Sequence, residues 1–317
     1  MKNSKSFDRW KCIRPSSWAL TVYNNHEKEL WKMYMAFEIT QKFTYKQFRD
    51  KPKSTWDEPI LNYFSFSNPL KPNLSPFYIN NMTTIKDWSN ALNDFQNWIN
   101  LNTLLILAAN LETYIAKVTK FSLLSDLGVL FGYDSHIDGI HLLKYAQKDK
   151  IENMNKIIDD NIVCFTKGTW DSRINSLSKI FKNLDYNLLS NEINALEKIR
   201  KIRNDLAHTF GREIERVQNN LTPEILPIKK ISREQILKLQ HTVWKVVKHI
   251  DIVLLNHIGN YEAINIYHNL FSKMSDSQLN AHINMRANLF KKEYGRLGAT
   301  PVNKEFCRDL VYYYENL

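Results

Sequence analysis

Residues 101–118 read LNTLLILAANLETYIAKV. Apolar side chains recur in this stretch at spacings of three and four residues, which is the repeat of an amphipathic α-helix. The repeating positions are Leu101, Leu104, Ala108, Leu111, Ile115 and Val118. The apolar run at 105–107 widens the stripe until it nearly encircles the helix, and a helix that is apolar on most sides is buried. The stretch therefore predicts a central helix, whose full extent we place at 85–122.

The same periodicity predicts other helices before and after the central one. We place them at 27–48, 170–184, 190–209 and 232–257, with one or two more between 132 and 168 and two or three short ones after Gly259. No period of 20 to 50 residues repeats along the chain, so a solenoid of stacked repeats is not indicated. The predicted fold class is mainly α.

Helix boundaries follow from residues that satisfy the unpaired backbone groups at helix ends. Three pairs match the capping-box pattern, namely Thr84 with Asp87, Ser232 with Gln235, and Ser275 with Gln278. Ser190 is the predicted N-cap of the 190–209 helix, and Gly211 is its predicted stop. Thr300-Pro301 is predicted to open the last helix.

Helical periodicity is weakest in the N-terminal part of the chain. Prolines punctuate residues 52–76, and because each one fixes φ and removes a backbone donor, this segment is predicted to be extended or looped. We divide the chain into an N-terminal accessory region at 1–95, a helical bundle at 96–259 and a C-terminal helical extension at 260–317.

The composition is that of a globular, basic protein. Hydrophobic residues make up 44% of the 317 positions and charged residues 24%, which excludes a disordered or collagen-like chain. Lysine and arginine outnumber aspartate and glutamate by 43 to 33, giving a formal net charge of +10. Such a charge favours contact with polyanions, such as nucleic acid or an acidic membrane surface.

The cysteines and the apolar segments indicate the compartment. Cys12, Cys164 and Cys307 are too scattered for a disulfide framework or a zinc site. The N-terminus has no apolar core typical of a secretory signal, and no apolar run approaches the roughly 20 residues that span a bilayer. We therefore expect a reduced, cytoplasmic protein that needs no metal or cofactor and does not insert into a membrane.

One segment carries the side chains needed for phosphodiester chemistry. Residues 198–208 read KIRKIRNDLAH. Asn204 and His208 are four residues apart and share a helix face, whereas Arg203 lies about 140° round the helix from His208. Cleavage of RNA needs a group that moves a proton near neutral pH and a cation beside the charge that develops on the phosphate, and histidine and arginine suit these two roles. The amide of Asn204 can orient either of them.

The pattern Arg203-Asn204-x-x-x-His208 resembles the signature of the HEPN superfamily (higher eukaryotes and prokaryotes nucleotide-binding). The order of elements is also similar to that of ribonuclease-like HEPN proteins. A long helix with Asn110-Leu111-Glu112 comes first, a helix opening with the segment GTWDSR at 168–173 follows, and the motif helix precedes a last apolar helix. The resemblance covers residues 96–259 and leaves both flanks unmatched.

The resemblance implies a HEPN-like helical bundle with a metal-independent endoribonuclease site. It assigns catalytic roles to Arg203, Asn204 and His208 and implies that two copies of the motif meet across a homodimer. Glu112 matches the family's acidic helix position, and we add Asp205 as a second supporting residue. HEPN ribonucleases of bacteria act as toxins or antiviral abortive-infection effectors, so an antitoxin or a sensor protein joins RNA among the partners considered.

Other interpretations of the same residues stay open. The motif segment also fits a solvated basic helix end, and Arg203 also fits a structural ion pair with a carboxylate such as Glu112. Lys198, Arg200 and Lys201 form either a solvated face or the surface that follows the RNA phosphates. Some HEPN proteins bind nucleotides, RNA or a protein without cutting, and this non-catalytic module is the alternative function. A DNA-binding regulator using residues 260–317 is a third class, although no helix-turn-helix pattern supports it.

Overall fold

The computed structural model describes residues 7–51, 55–63, 82–297 and 301–317. These residues are mainly α-helical, and the only β pairing within the described ranges consists of two isolated bridges, Pro59 with Thr84 and Asp126 with Asp138. The mainly α class is therefore confirmed.

The helices are numbered in chain order. They are α1 (Trp18–Arg49), α2 (Ile85–Ser125), α3 (Gly139–Tyr145), α4 (Lys148–Thr166), α5 (Trp170–Ile180), α6 (Tyr186–Thr209), α7 (Ile214–Asn219), α8 (Arg233–Ile258), α9 (Tyr261–Phe271), α10 (Asp276–Leu279), α11 (Ile283–Arg296) and α12 (Lys304–Glu315). Two 3-10 turns, Ile60–Asn62 and Leu127–Phe131, complete the described elements. The predicted loop at 52–76 lies largely outside the described residues.

The capping boxes form as predicted. The Asp87 carboxylate accepts a hydrogen bond from the Thr84 N–H at 3.0 Å, and the Thr84 hydroxyl accepts one from the Asp87 N–H at 3.1 Å. The same reciprocal bonds join Ser232 with Gln235 at the start of α8. The box of Ser275 with Gln278 opens α10, which is a single turn.

Three predicted helix starts are wrong. Helix α1 begins at Trp18 and not at residue 27. Helix α6 begins at Tyr186, and Ser190 lies inside it, where its hydroxyl donates to the Asn187 carbonyl instead of capping. The last helix begins after Asn303, whose side chain accepts from the Phe306 N–H at 2.7 Å, and not at Thr300-Pro301. Ser190 lies within backbone that is already helical, and Asn303, a favoured N-cap residue, caps the last helix.

The chain forms two compact units. Unit 1 consists of Met1–Asn25, Ala109–Glu197 and His241–Leu317, and unit 2 consists of His26–Ala108 and Lys198–Gln240. Both units are discontinuous in sequence, whereas the ranges 1–95, 96–259 and 260–317 are continuous segments. Those ranges remain a prediction about domain organisation.

Unit 1 has an apolar core that encloses a polar network. The Tyr114 hydroxyl donates to the Val247 carbonyl at 3.1 Å and to the Asp251 carboxylate at 3.2 Å. Asp251 is 2% exposed and also accepts from the hydroxyl and the N–H of Ser17. Burial raises the pKa of Tyr114 well above its ordinary value, so the phenol stays protonated and donates. The network ties residues 7–25 to the core of this unit.

Arg9 makes a second buried connection in unit 1. Its guanidinium donates to the Ile258 carbonyl at 3.0 Å, to the Ser125 hydroxyl at 2.6 Å and to Asp138 at 3.1 Å. Burial lowers the pKa of Arg9, and the Asp138 carboxylate opposes that effect. A guanidinium with this many acceptors offsets much of the cost of removing its charge from water.

Unit 2 contains the N-terminal half of the central stripe. Leu101, Leu104 and Leu107 are fully buried, whereas Ile106 is 37% exposed. The sequence predicted a helix that is buried on most sides, but here the side that carries Ile106 faces solvent. The buried Asn100 side chain accepts from the Tyr34 hydroxyl at 3.0 Å and donates to the Ile231 carbonyl at 2.8 Å. These bonds fix the segment that leads from the motif helix to α8.

Candidate functional site

The three motif residues lie together at the end of one helix. Arg203, Asn204 and His208 occupy the last two turns of α6. The helix forms here because Ile199 and Ile202 are buried on its apolar side, at 2% exposure each, while the polar residues between them face outward. The structure thus places the motif on a helix, as predicted, and brings its members within two turns of each other.

The motif side chains differ in accessibility. His208 is exposed, and Arg203 and Asn204 are half-buried. Within the described ranges, the side chains of Asn204 and His208 make no hydrogen bond or ion pair. Because residues four apart share a helix face, both point their polar groups to the same side. Two accessible polar groups that are not engaged elsewhere are available for an external ligand.

Asp205 holds the end of the motif helix. Its carbonyl accepts from the Thr209 hydroxyl at 2.7 Å and from the Gly211 N–H at 3.0 Å. Its carboxylate accepts from the Ile214 N–H at 3.5 Å and lies 3.9 Å from the Lys229 ammonium. These contacts stabilise the turn that follows His208, so the structure gives Asp205 a positioning role in the local backbone.

Glu112 is engaged within unit 1. Its carboxylate forms a salt bridge of 3.0 Å with Arg173, whose side chain is only 4% exposed. Arg173 also donates to the Gly168 carbonyl at 3.1 Å and stacks over the Trp170 ring at 4.6 Å. Arg173 belongs to the GTWDSR segment, whose order in the chain contributes to the resemblance but indicates no role for this arginine. A buried arginine needs a carboxylate partner, but the burial of Arg173 is visible only in the structure.

The backbone reverses direction directly after the motif. Phe210 and Gly211 both have positive φ, at 55° and 79°. Glycine adopts this left-handed conformation freely, but for a bulky side chain it costs about 1–2 kcal/mol. Phe210 is nevertheless 55% exposed, and the Arg212 guanidinium lies 5.6 Å from the centroid of its ring. The sequence predicted the stop at Gly211 and did not predict the strained Phe210.

The basic residues of the motif helix are of two kinds. Lys198 and Lys201 are exposed, and neither has an ion-pair partner in the part of the chain that the structure describes. Arg200 is half-buried and engaged with neighbouring groups. The two lysines therefore present uncompensated positive charge next to the motif.

A cavity of about 700 Å³ lies elsewhere in unit 2. Its described lining residues are Lys42, Tyr45, Lys46, Phe48, Arg49, Thr55, Trp56 and Ile85. None of the motif residues is among them. Thr55 directly follows residues 52–54, which lie outside the described ranges, so the lining is defined only in part.

Two features are absent from the residues that the structure describes. They contain no cluster of three or more His, Cys, Asp or Glu side chains arranged to hold a metal ion. None of the described helices combines the length and the apolar character needed to cross a lipid bilayer.

Comparison with known proteins identifies no relative. No family model matches the chain, and neither the curated proteins nor the solved structures contain a match. The HEPN resemblance therefore depends on the residues quoted above.

Proposed function

We propose that this protein is a metal-independent endoribonuclease of the HEPN type. The observation that carries the proposal is the grouping of Arg203, Asn204 and His208 at the solvent-accessible end of α6, with Asn204 and His208 unengaged by the described residues. The mainly α fold is compatible with a HEPN-like bundle, and the net charge of +10 suits an RNA substrate.

The chemistry uses the 2′-hydroxyl next to the scissile phosphate as nucleophile. His208 acts as general base or general acid, moving a proton from the 2′-hydroxyl or to the 5′-oxygen that leaves. Arg203 stabilises the extra negative charge on the phosphorane, and Asn204 positions the phosphate or the histidine. The products are a 2′,3′-cyclic phosphate and a 5′-hydroxyl.

The biological role follows from the same resemblance. A HEPN ribonuclease of this kind acts in the cytoplasm of a bacterium as a toxin or an antiviral abortive-infection effector. It works as a homodimer, and an antitoxin or a sensor protein restrains or triggers it.

RNA cleavage is expected to survive chelation, because the proposed chemistry needs only a proton-transfer group and a fixed cation from the protein. Purified protein incubated with total cellular RNA in excess EDTA should cut as it does without EDTA, and the His208→Ala protein should not. Loss of cutting in EDTA with recovery in magnesium would remove this mechanism. RNA binding with no cutting under any condition would favour the non-catalytic HEPN module.

RNA affinity is expected to fall steeply with salt, since each phosphate neutralised by a lysine releases condensed counterions. Replacing Lys198 and Lys201 together with Glu should weaken binding and flatten the salt dependence. The matched control replaces Lys291 and Lys292 with Glu. These lysines are also exposed, and their replacement changes the net charge by the same amount. Equal affinity in the two double variants would place the binding face away from α6.

A further inference from the structure

Phe210 is an exposed aromatic ring two residues beyond His208. Consecutive Cα atoms are about 3.8 Å apart, so the Cα atoms of Phe210 and His208 are at most about 7.6 Å from each other. More than half of the Phe210 side chain, 55%, is accessible to solvent. Single exposed apolar side chains are common on protein surfaces, so what distinguishes Phe210 is its place beside the candidate catalytic histidine together with its positive φ of 55°.

The backbone around Phe210 is held from both sides. The Gly211 N–H donates to the Asp205 carbonyl at 3.0 Å, and the Gly211 carbonyl accepts from the Lys229 N–H at 2.9 Å. The Thr209 hydroxyl is close to the carbonyls of both Asp205 and Arg212, which share its single proton as acceptors. Phe210 therefore has its unfavourable left-handed conformation between two residues, Thr209 and Gly211, that are both held by hydrogen bonds.

The ring also has a cation beside it. The Arg212 guanidinium lies 5.6 Å from the ring centroid, and its Nε donates to the Leu226 carbonyl at 2.6 Å. This bond anchors one edge of the guanidinium, while its charge stays next to the ring. Aromatic rings paired with arginine are the groups on which proteins stack unpaired bases.

Strained backbone that displays a side chain to solvent is typical of functional positions. We propose that Phe210, supported by Arg212, is a stacking platform that holds one unpaired base next to the phosphate cut by Arg203 and His208. This inference rests on the proposed ribonuclease function and deepens it. Bases in a duplex are already stacked on each other, so the platform selects RNA whose nucleotide beside the cleavage site is unpaired.

Substitutions at Phe210 separate stacking from backbone strain. Phe210→Leu keeps an apolar side chain but removes the π face, and Phe210→Trp keeps the π face. Phe210→Gly removes both the ring and the strain, so its thermal melting temperature should equal or exceed that of the native protein. If stacking matters, the Leu and Gly variants lose about tenfold or more in affinity for unpaired RNA and Trp retains it. If Phe210 only terminates the helix, the three variants should bind unpaired RNA with the affinity of the native protein. Only their melting temperatures should then differ, with that of Phe210→Gly the highest.

A coupling experiment identifies the base that stacks. Binding is measured in the His208→Ala background with an unpaired RNA oligonucleotide and with copies that carry an abasic site at each position in turn. We expect one abasic position to cost the Phe210 protein about tenfold or more in affinity and to cost the Phe210→Leu protein almost nothing. If each abasic position costs the Phe210 and Phe210→Leu proteins the same loss of RNA affinity, the platform is overturned. Equal affinity of the Phe210 and Phe210→Leu proteins for the intact oligonucleotide would also overturn it.

The same variants separate this inference from the proposed function. Cleavage that depends on His208 but proceeds normally in Phe210→Leu overturns the platform and leaves the ribonuclease proposal standing. Coupling between Phe210 and one base, in a protein that never cuts RNA, supports the platform and overturns the ribonuclease. A protein that binds no RNA at all overturns both.

Discussion

His208→Ala is expected to lower the rate of RNA cleavage by about 100- to 10 000-fold, which is the usual contribution of a positioned general acid or base. The side chain is exposed and has no hydrogen-bond partner among the described residues. Its removal should therefore leave the thermal melting temperature unchanged. The measurement is single-turnover cleavage of a labelled RNA, together with a melting curve of each protein.

Arg203→Ala is expected to lower the rate by about 100- to 1000-fold, because it removes the charge that stabilises the phosphorane. Arg203 is half-buried and engaged with neighbouring groups, so this variant needs a fold control. Arg203→Lys keeps the charge but loses the planar fork of donors, and it should recover part of the rate. Asn204→Ala should have a smaller effect, since an amide that positions the reacting groups carries no charge to the transition state.

The control for loss of a histidine is His241→Ala. His241 is also exposed and also lies on a helix, but it belongs to α8 and is outside the motif. Normal cleavage by His208→Ala, or an equal loss in His241→Ala, would contradict the assignment of the catalytic base. If Arg203→Ala unfolds, the cleavage rate of Arg203→Lys decides the assignment of Arg203. A native rate in that variant would contradict a need for the planar guanidinium.

The fold class could be predicted because its main signal is local. The stripe positions Leu101, Leu104, Ile115 and Val118 are all 0% exposed, as their spacing indicated. Periodicity reports which face of a helix is apolar, and that is enough to find α2 and α8 almost to the residue. It does not report where polar groups from distant segments meet. Arg9 and Asp138 are separated by 129 positions, and nothing local in the sequence indicates their buried salt bridge.

The local geometry of the candidate site could be predicted in part for the same reason. The spacing of Asn204 and His208 on a helix is a local property, and the structure places both as expected. The turn beyond them was predicted from Gly211 alone, because glycine is the residue that normally adopts positive φ after a helix. Phe210 adopts it as well, with a φ of 55°, and the next residue, Gly211, is held by hydrogen bonds to Asp205 and Lys229. The positive φ of Phe210 is visible only in the structure, because no local sequence pattern favours it for a bulky residue.

The active form is expected to be a homodimer, or an assembly of dimers, built around the end of α6. Arg203 and His208 project about 140° apart on a regular helix, so one copy does not readily direct both at the same phosphate. A two-fold axis beside the helix brings the arginine of one chain and the histidine of its partner into one cleft. An isologous contact of this kind is the commonest route to symmetric oligomers.

Mixing an Arg203→Ala chain with a His208→Ala chain tests this arrangement. If each site takes its arginine and its histidine from different chains, a mixed dimer contains one complete site, and random pairing should restore about a quarter of the native activity. If both groups come from one chain, no site is complete and activity stays absent, although mixed dimers are present. Two distinguishable affinity tags, one on each chain, establish that mixed dimers have formed. A site shared by two chains must lose activity when dilution separates them. The dimer is therefore ruled out if light scattering shows a monomer at concentrations where the native protein cleaves RNA at full specific activity.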